Sequence, residues 1–193
     1  MSRACVVIPI RSFAGAKVRL ASELDEEQRA ALARTLATRV VEAADPMPVV
    51  VVSSAPEVVR WAHDLGLETV DDPDAGLDGA ASAGRARAAE LGLIRVVIAH
   101  ADLPHARSLE PLARDGALPI VTLVPCHRDD GTNVCSVPVD LPFRFAYGPG
   151  SFRRHVAETR RCGAELRIVR RADLTFDVDV PADLERLRLP NRA

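Results

Sequence analysis

Ala4-Cys5-Val6-Val7-Ile8-Pro9-Ile10-Arg11 decides the fold. Apolar, largely β-branched residues run without interruption into a cation. A strand with one wet face alternates apolar and polar side chains, so an unbroken run predicts a strand, Ala4–Ile10, buried on both faces. Val49–Ser53 and Ile94–Ala99 also read as buried strands, and Leu67–Val70 as a short strand between them. Between them lie helical patterns. Asp25–Ala44 carries Leu32, Leu36, Val40 and Ala43 at spacings of three or four, with acids in its first turn, and Pro46 and Pro48 end it. Pro56–Leu65 and Ala80–Leu91 are helices closed by Gly66 and Gly92. Strands alternating with helices over short linkers imply an α/β fold. Its sheet is parallel, covered on both faces, with right-handed crossovers.

In such a sheet ligands bind beyond the carboxyl ends of the strands. Here those ends are Ile10/Arg11, Ser53/Ser54, Asp71/Asp72 and Ala101/Asp102. The second half is less regular. A short helix is expected at Leu109–Arg114, strands at Ile120–Val124, Val134–Val139, Leu166–Val169 and Thr175–Val178, and a short segment at Phe143–Tyr147. Helices are expected at Phe152–Cys162 and Pro181–Leu187.

The chain of 193 residues fits a single domain, 1–193, large enough to bury a core without disulfides. Hydrophobic residues make up 48% and aromatics only 4%, so Ala, Val, Leu and Ile must build that core. This composition excludes disordered, collagen-like and disulfide-rich chains. Cys5, Cys126, Cys135 and Cys162 form no C-x-x-C pair and read as reduced thiols. No apolar run reaches membrane-spanning length, and the apolar start meets Arg11 without a cleavage site. A cytoplasmic protein is expected.

Net charge is −2, which does not favour nucleic acid as a partner, and stacking aromatics are scarce. Residues 1–22 hold Arg3, Arg11, Lys17 and Arg19 and no acid, whereas Asp71, Asp72, Asp74 and Asp78 make an acidic loop. Residues 151–171 hold seven Arg against Glu158 and Glu165. Two basic ends around a neutral body suit a small anionic ligand. Of the 25 basic residues, Lys17 is the one lysine.

No P-loop, dinucleotide-binding glycine motif or nucleophile elbow occurs. Instead, Arg11, Lys17 and Arg19 fall in the loop after the first strand, where three cations can neutralise a triphosphate. Asp102 follows the fourth strand directly, at the ligand end of the sheet. A helix cap for a helix starting near Ala106 is the plainer reading of it, and Pro104 makes that awkward. His100 and His105 beside it read as hydrogen-bonded surface groups. In Asp177-Val178-Asp179 the strand period puts both carboxylates on one side, which is costly without a cation between them. Asp102, Asp177 and Asp179 together are hard oxygen donors suited to Mg²⁺ or Mn²⁺. Gly148-Pro149-Gly150-Ser151 opens a helix whose free N–H groups, with Arg153, Arg154 and His155 nearby, suit an anion. Gly131-Thr132-Asn133 is a second small-residue loop.

The order of these motifs resembles the 2-phospho-L-lactate guanylyltransferases of coenzyme F-420 biosynthesis, whose bacterial branch is described as phosphoenolpyruvate guanylyltransferase. The likeness covers Ile8–Leu20, Ala101–Pro104, Gly131–Asn133, Tyr147–His155 and Asp177–Leu184. It implies a three-layer, nucleotide-diphospho-sugar-transferase-like (Rossmann-like) fold with a mostly parallel sheet. It implies Mg²⁺-dependent transfer of GMP from GTP to a phosphorylated three-carbon acid, with release of pyrophosphate. By the resemblance, Asp102, Asp177 and Asp179 hold metal, Lys17 and Arg19 hold nucleotide phosphates, and Thr132, Gly148 and Ser151 hold the acceptor. Two positions depart from the family pattern. Asp129-Asp130 precede Gly131-Thr132-Asn133, where small residues are usual. Asp78 replaces an Asn at a place expected to meet the base or ribose. A related nucleotidyltransferase with another phosphorylated acceptor, and a nucleotide-binding relative without acceptor chemistry, stay open, as does a homodimer.

Overall fold

The computed structural model describes residues 3–188; the two residues before them and residues 189–193, the ends of the expected single domain, lie outside. Seven strands form one sheet: β1 (Ala4–Pro9), β2 (Val49–Val52), β3 (Glu68–Val70), β4 (Arg95–Ala99), β5 (Ile120–Pro125), β6 (Thr132–Pro138) and β7 (Glu165–Ile168). Their order is β3-β2-β1-β4-β6-β5-β7. All adjacent pairs are parallel except those of β6, which runs antiparallel to both β4 and β5. The reversal matters for the site. It brings the amino end of β6 to the carboxyl ends of β1, β4 and β5, and the His100 N–H donates to the Asn133 carbonyl there at 3.0 Å.

The unbroken apolar runs are explained by burial on two sides. Val6, Ile8, Val49, Val51 and Val97 face one core layer, and Val7, Val50, Val52, Val96 and Ile98 face the other. Helices α1 (Glu26–Glu42) and α2 (Pro56–Asp64) cover the first face through Ala33, Ala37, Val40, Val58 and Ala62. Helices α3 (Gly76–Glu90) and α4 (Ser151–Arg161) cover the second through Ala80, Ala81, Ala88 and Phe152. Each fully buried Val, Leu or Ile contributes about 1.5–3 kcal/mol. Small side chains let the layers close up. A Cβ on Gly84 of α3 would stand 2.2 Å from Val7 Cγ1, so only glycine lets this helix lie on β1.

Three expectations need correction. Helix α3 begins at Gly76, not Ala80. The glycines that read as loop are its first turns, and Gly79 is needed there because a Cβ would meet Ala75 Cβ at 2.5 Å. The expected strand Thr175–Val178 does not form. Ala172–Thr175 is a helical turn, α5, and 176–179 carries no regular structure, so strand alternation does not govern Asp177 and Asp179. No helix starts near Ala106; the next regular turn is Glu110–Ala113. The last helix, α6, spans Pro181–Arg188. No helix among the described residues is long and apolar enough to cross a membrane.

Candidate active site

The loop after β1 is shaped around Lys17. Glu57 of α2 accepts from Ser12 Oγ at 2.7 Å and from the Phe13 N–H at 3.2 Å, tying the start of the loop to the scaffold. Lys17 itself is left-handed (φ 54°), a conformation costing a non-glycine residue on the order of 1 kcal/mol. The single 3-10 turn that follows, Val18–Leu20, drives the fully buried Leu20 into a cluster with Leu36, Phe176, Val178 and Leu184. Backbone strain and an apolar anchor thereby aim the one lysine inward. Its Nζ donates to Asp102 Oδ2 at 2.6 Å and to Asp179 Oδ1 at 3.0 Å.

Asp102 lies in the turn after β4. Its carbonyl accepts from the Val178 N–H at 3.4 Å, which brings the 177–179 segment alongside. Asp183 then locks that segment. Its carboxylate accepts from the Asp179 and Val180 N–H groups at 2.9 and 3.0 Å, and from Arg128 at 2.6 and 2.7 Å. Asp177 is held by His127 Nδ1 at 3.1 Å, with Arg128 at 3.8 Å. His127 and Phe176 pack ring against ring at 5.3 Å.

Charge follows from this geometry. Burial pulls the Lys17 ammonium toward neutrality, but Asp102 and Asp179 outweigh it and raise its pKa. Burial pushes Asp102 upward, and the Lys17 and His100 charges overcome that and hold it below the usual carboxylate range. Both members of the pair are therefore ionised. Asp177 shifts the other way. Its burial, with the negative charges of Asp102 and Asp179, raises its pKa against the pull of His127. The three carboxylates therefore feel one another, but they do not meet at a point. Among the described residues no three His, Cys, Asp or Glu side chains form a metal-binding group. The Lys17 ammonium stands between Asp102 and Asp179, and Asp177 turns to His127. The donor set still fits a hard divalent cation, because Asp102 Oδ1 is buried without a hydrogen-bond partner.

Two cavities meet over this cluster. The larger, about 770 Å³, lies under the 9–19 loop and is bounded by Arg11, Lys17 and Asp102. The smaller, about 380 Å³, is bounded by Gly131, Tyr147, Gly148, Ser151 and Asp177. Arg19, Leu77, His100 and Asp179 border both. The expected cations Arg11 and Arg19 are exposed at the walls. His100 is not the surface group expected, since its Nε2 is buried without a partner.

The residues expected to hold the acceptor fall unevenly about the smaller cavity. Gly148 and Ser151 border the smaller cavity. Thr132 is fully buried; its N–H donates to Ser151 Oγ at 3.0 Å and its hydroxyl pairs with His155 Nδ1 at 3.0 Å. The start of α4 is not a vacant anion site. Asp130 accepts from the Gly150 N–H with both carboxylate oxygens at 3.0 Å, and its carbonyl takes the Phe152 N–H. Arg154 donates to the carbonyls of Ala146, Tyr147 and Pro149. Asp129 pairs with Arg170. Asp78 accepts from the Tyr147 N–H at 2.6 Å, fastening α3 to the segment before α4, and it borders neither cavity.

Sequence reasoning missed Glu57, His127, Arg128 and Asp183, and it read His155 as added positive charge where the structure makes it a buried hydrogen-bonding group. Only Asp183 carried a signal: an acid in the first turn of a helix opened by proline is placed to take up free N–H groups.

Comparison with known proteins places the chain in a family. Residues 4–190 match the family model described as "Guanylyl transferase CofC like". The chain is 36% identical to a phosphoenolpyruvate guanylyltransferase of Sphaerobacter thermophilus, over 94% of this chain and 90% of that one. It is 37% identical to a phosphoenolpyruvate guanylyltransferase of Rubrobacter xylanophilus, over 94% and 91%. It is 30% identical to a 3-phospho-D-glycerate guanylyltransferase of Phenylobacterium zucineum, over 92% and 86%. Among solved structures, a nucleotidyl transferase from Methanothermobacter superposes with a TM-score of 0.62 at 17% identity, over 96% of this chain and 95% of that one. CMP:2-keto-3-deoxy-manno-octonic acid synthetase superposes with a TM-score of 0.58 at 16% identity, over 96% of each chain. At such identity these two speak for the α/β nucleotidyltransferase fold alone. With nearly the whole chain matched by the family model, the protein belongs to the CofC-like guanylyl transferases.

Proposed function

We propose that this enzyme moves GMP from GTP to the phosphate of a phosphorylated three-carbon acid, 2-phospho-L-lactate or phosphoenolpyruvate, releasing pyrophosphate, as a cytoplasmic step of coenzyme F-420 biosynthesis. The observation that carries this reading is the pair of cavities joined at Arg19, His100 and Asp179, with the Lys17–Asp102–Asp179 cluster at their junction. Two anionic substrates need two adjoining compartments and a charged centre between them. The larger compartment suits the nucleotide and the smaller the acceptor.

An acceptor phosphate must approach an α-phosphate that is itself anionic. Lys17 and Arg19 offset that repulsion and stabilise the charge that builds on departing pyrophosphate. Lys17 is held in readiness by Asp102 and Asp179 and exchanges them for phosphate oxygens. The walls align the attacking oxygen with the bond that breaks. The attacking phosphate is its own nucleophile, so no covalent protein intermediate is needed. Asp102, Asp177 and Asp179 would hold Mg²⁺ (or Mn²⁺), which supplies further charge neutralisation at the phosphates.

The test is pyrophosphate release from GTP, Mg²⁺ and phosphoenolpyruvate or 2-phospho-L-lactate, with Asp102→Asn alongside. Turnover by the native enzyme and its loss in a variant that still unfolds cooperatively are expected. Native-like turnover in Asp102→Asn, or none by the native enzyme with either acid, refutes the assignment.

A further inference from the structure

The wall of the smaller cavity holds a charge that the transfer reaction does not call for. A carboxylate beside an incoming acid is repulsive, and the positive end of α4, worth roughly half a unit charge, would otherwise attract that acid. Here that end is already engaged by Asp130. Both Asp130 oxygens share one N–H donor, so most of their lone-pair sites stay open on an exposed side chain bordering the cavity. An ionised carboxyl only accepts hydrogen bonds. It repels the carboxylate of every candidate acceptor and rewards only one that brings a hydroxyl. Tyr147 also borders this cavity, and its hydroxyl is buried without a hydrogen-bond partner.

Resting on the assignment of the smaller cavity to the acceptor, we propose that Asp130 is a specificity-determining residue that biases this cavity toward phosphorylated acids carrying a free hydroxyl, such as 3-phosphoglycerate, so that phosphoenolpyruvate and 2-phospho-L-lactate, which carry none, are the more weakly held acceptors. The hydroxyl donates to the outer lone pairs of Asp130 while the Gly150 N–H keeps the carboxylate in place. A hydrogen bond to an ionised acceptor discriminates by about tenfold or more.

The test is calorimetric binding of 3-phosphoglycerate and of phosphoenolpyruvate to the enzyme loaded with Mg²⁺ and a non-hydrolysable GTP analogue. Asp130→Asn keeps an acceptor for Gly150 N–H and loses the charge; Asp130→Gly loses both. The native enzyme is expected to bind 3-phosphoglycerate about tenfold more tightly. Asp130→Asn should tighten phosphoenolpyruvate and shrink the preference, and Asp130→Gly should erase it. GTP-analogue affinity should hold within about twofold, since Asp130 borders only the smaller cavity. Equal binding of the two acids by the native enzyme, a preference that survives in Asp130→Gly, or no binding of either acid overturns the proposal. Turnover is read separately: binding with the expected ratio but no GMP transfer refutes the transferase assignment and leaves the role of Asp130 standing.

Discussion

Acid should destabilise the fold through one histidine. His155 is fully buried in α4, its Nε2 accepts from the Ala146 N–H at 2.9 Å, and its Nδ1 therefore carries the proton that meets the Thr132 hydroxyl. A second proton on Nε2 would set donor against donor. Burial, aided by the Arg154 and His100 charges, lowers its pKa to about 4. An unfolded chain takes up that proton near pH 6.5. As pH falls below 6.5 the unfolded state binds the proton and the folded state does not, so stability drops until pH 4 and no further on this account. At about 1.4 kcal/mol per pH unit, the loss amounts to about 3 kcal/mol. Urea unfolding at pH 7, 5.5 and 4.5 measures it, with His155→Gln as reference. The native protein should lose stability more steeply than the variant over this window. Equal pH slopes in the two proteins would refute the reasoning.

Three further outcomes are expected. Lys17→Met removes the charge between Asp102 and Asp179 and should cut kcat by roughly 10²–10³ in a pyrophosphate-release assay. Glu57→Ala frees Ser12 and the Phe13 N–H, so steady-state kinetics should show the KM for GTP rising roughly tenfold with a smaller change in kcat. Gly84→Ala forces a methyl against Val7 and Val52 and should cost about 1–3 kcal/mol, read as a lower urea midpoint at unchanged slope.

The first half of the fold was legible because β1, β2 and β4 are buried on both faces and carry a long-range fact, two covering layers, in a local pattern. The same runs located Asp102, since a residue directly after a buried parallel strand must stand at the sheet's ligand edge. Residues 171–180 were not legible. Alternation in Asp177-Val178-Asp179 mimics a strand, but Asp183 and Arg128 hold the segment irregular through contacts that no spacing encodes. Lys17 was legible as a cation in the right loop. Its left-handed backbone and its two carboxylate partners, 85 and 162 positions away, were not. The glycines of the α4 entry announced an anion-binding turn, and the turn does bind one, supplied by the chain itself as Asp130.

A chain with a single lysine carries a natural address for amine chemistry. Reagents that acylate side-chain amines have one internal target here, and it borders the larger compartment, bonded to Asp179, which borders both. Clamped between two acids, the ammonium stays protonated and should resist modification in the resting enzyme. Its labelling rate, followed by intact mass, therefore reports directly on whether those acids have been drawn elsewhere.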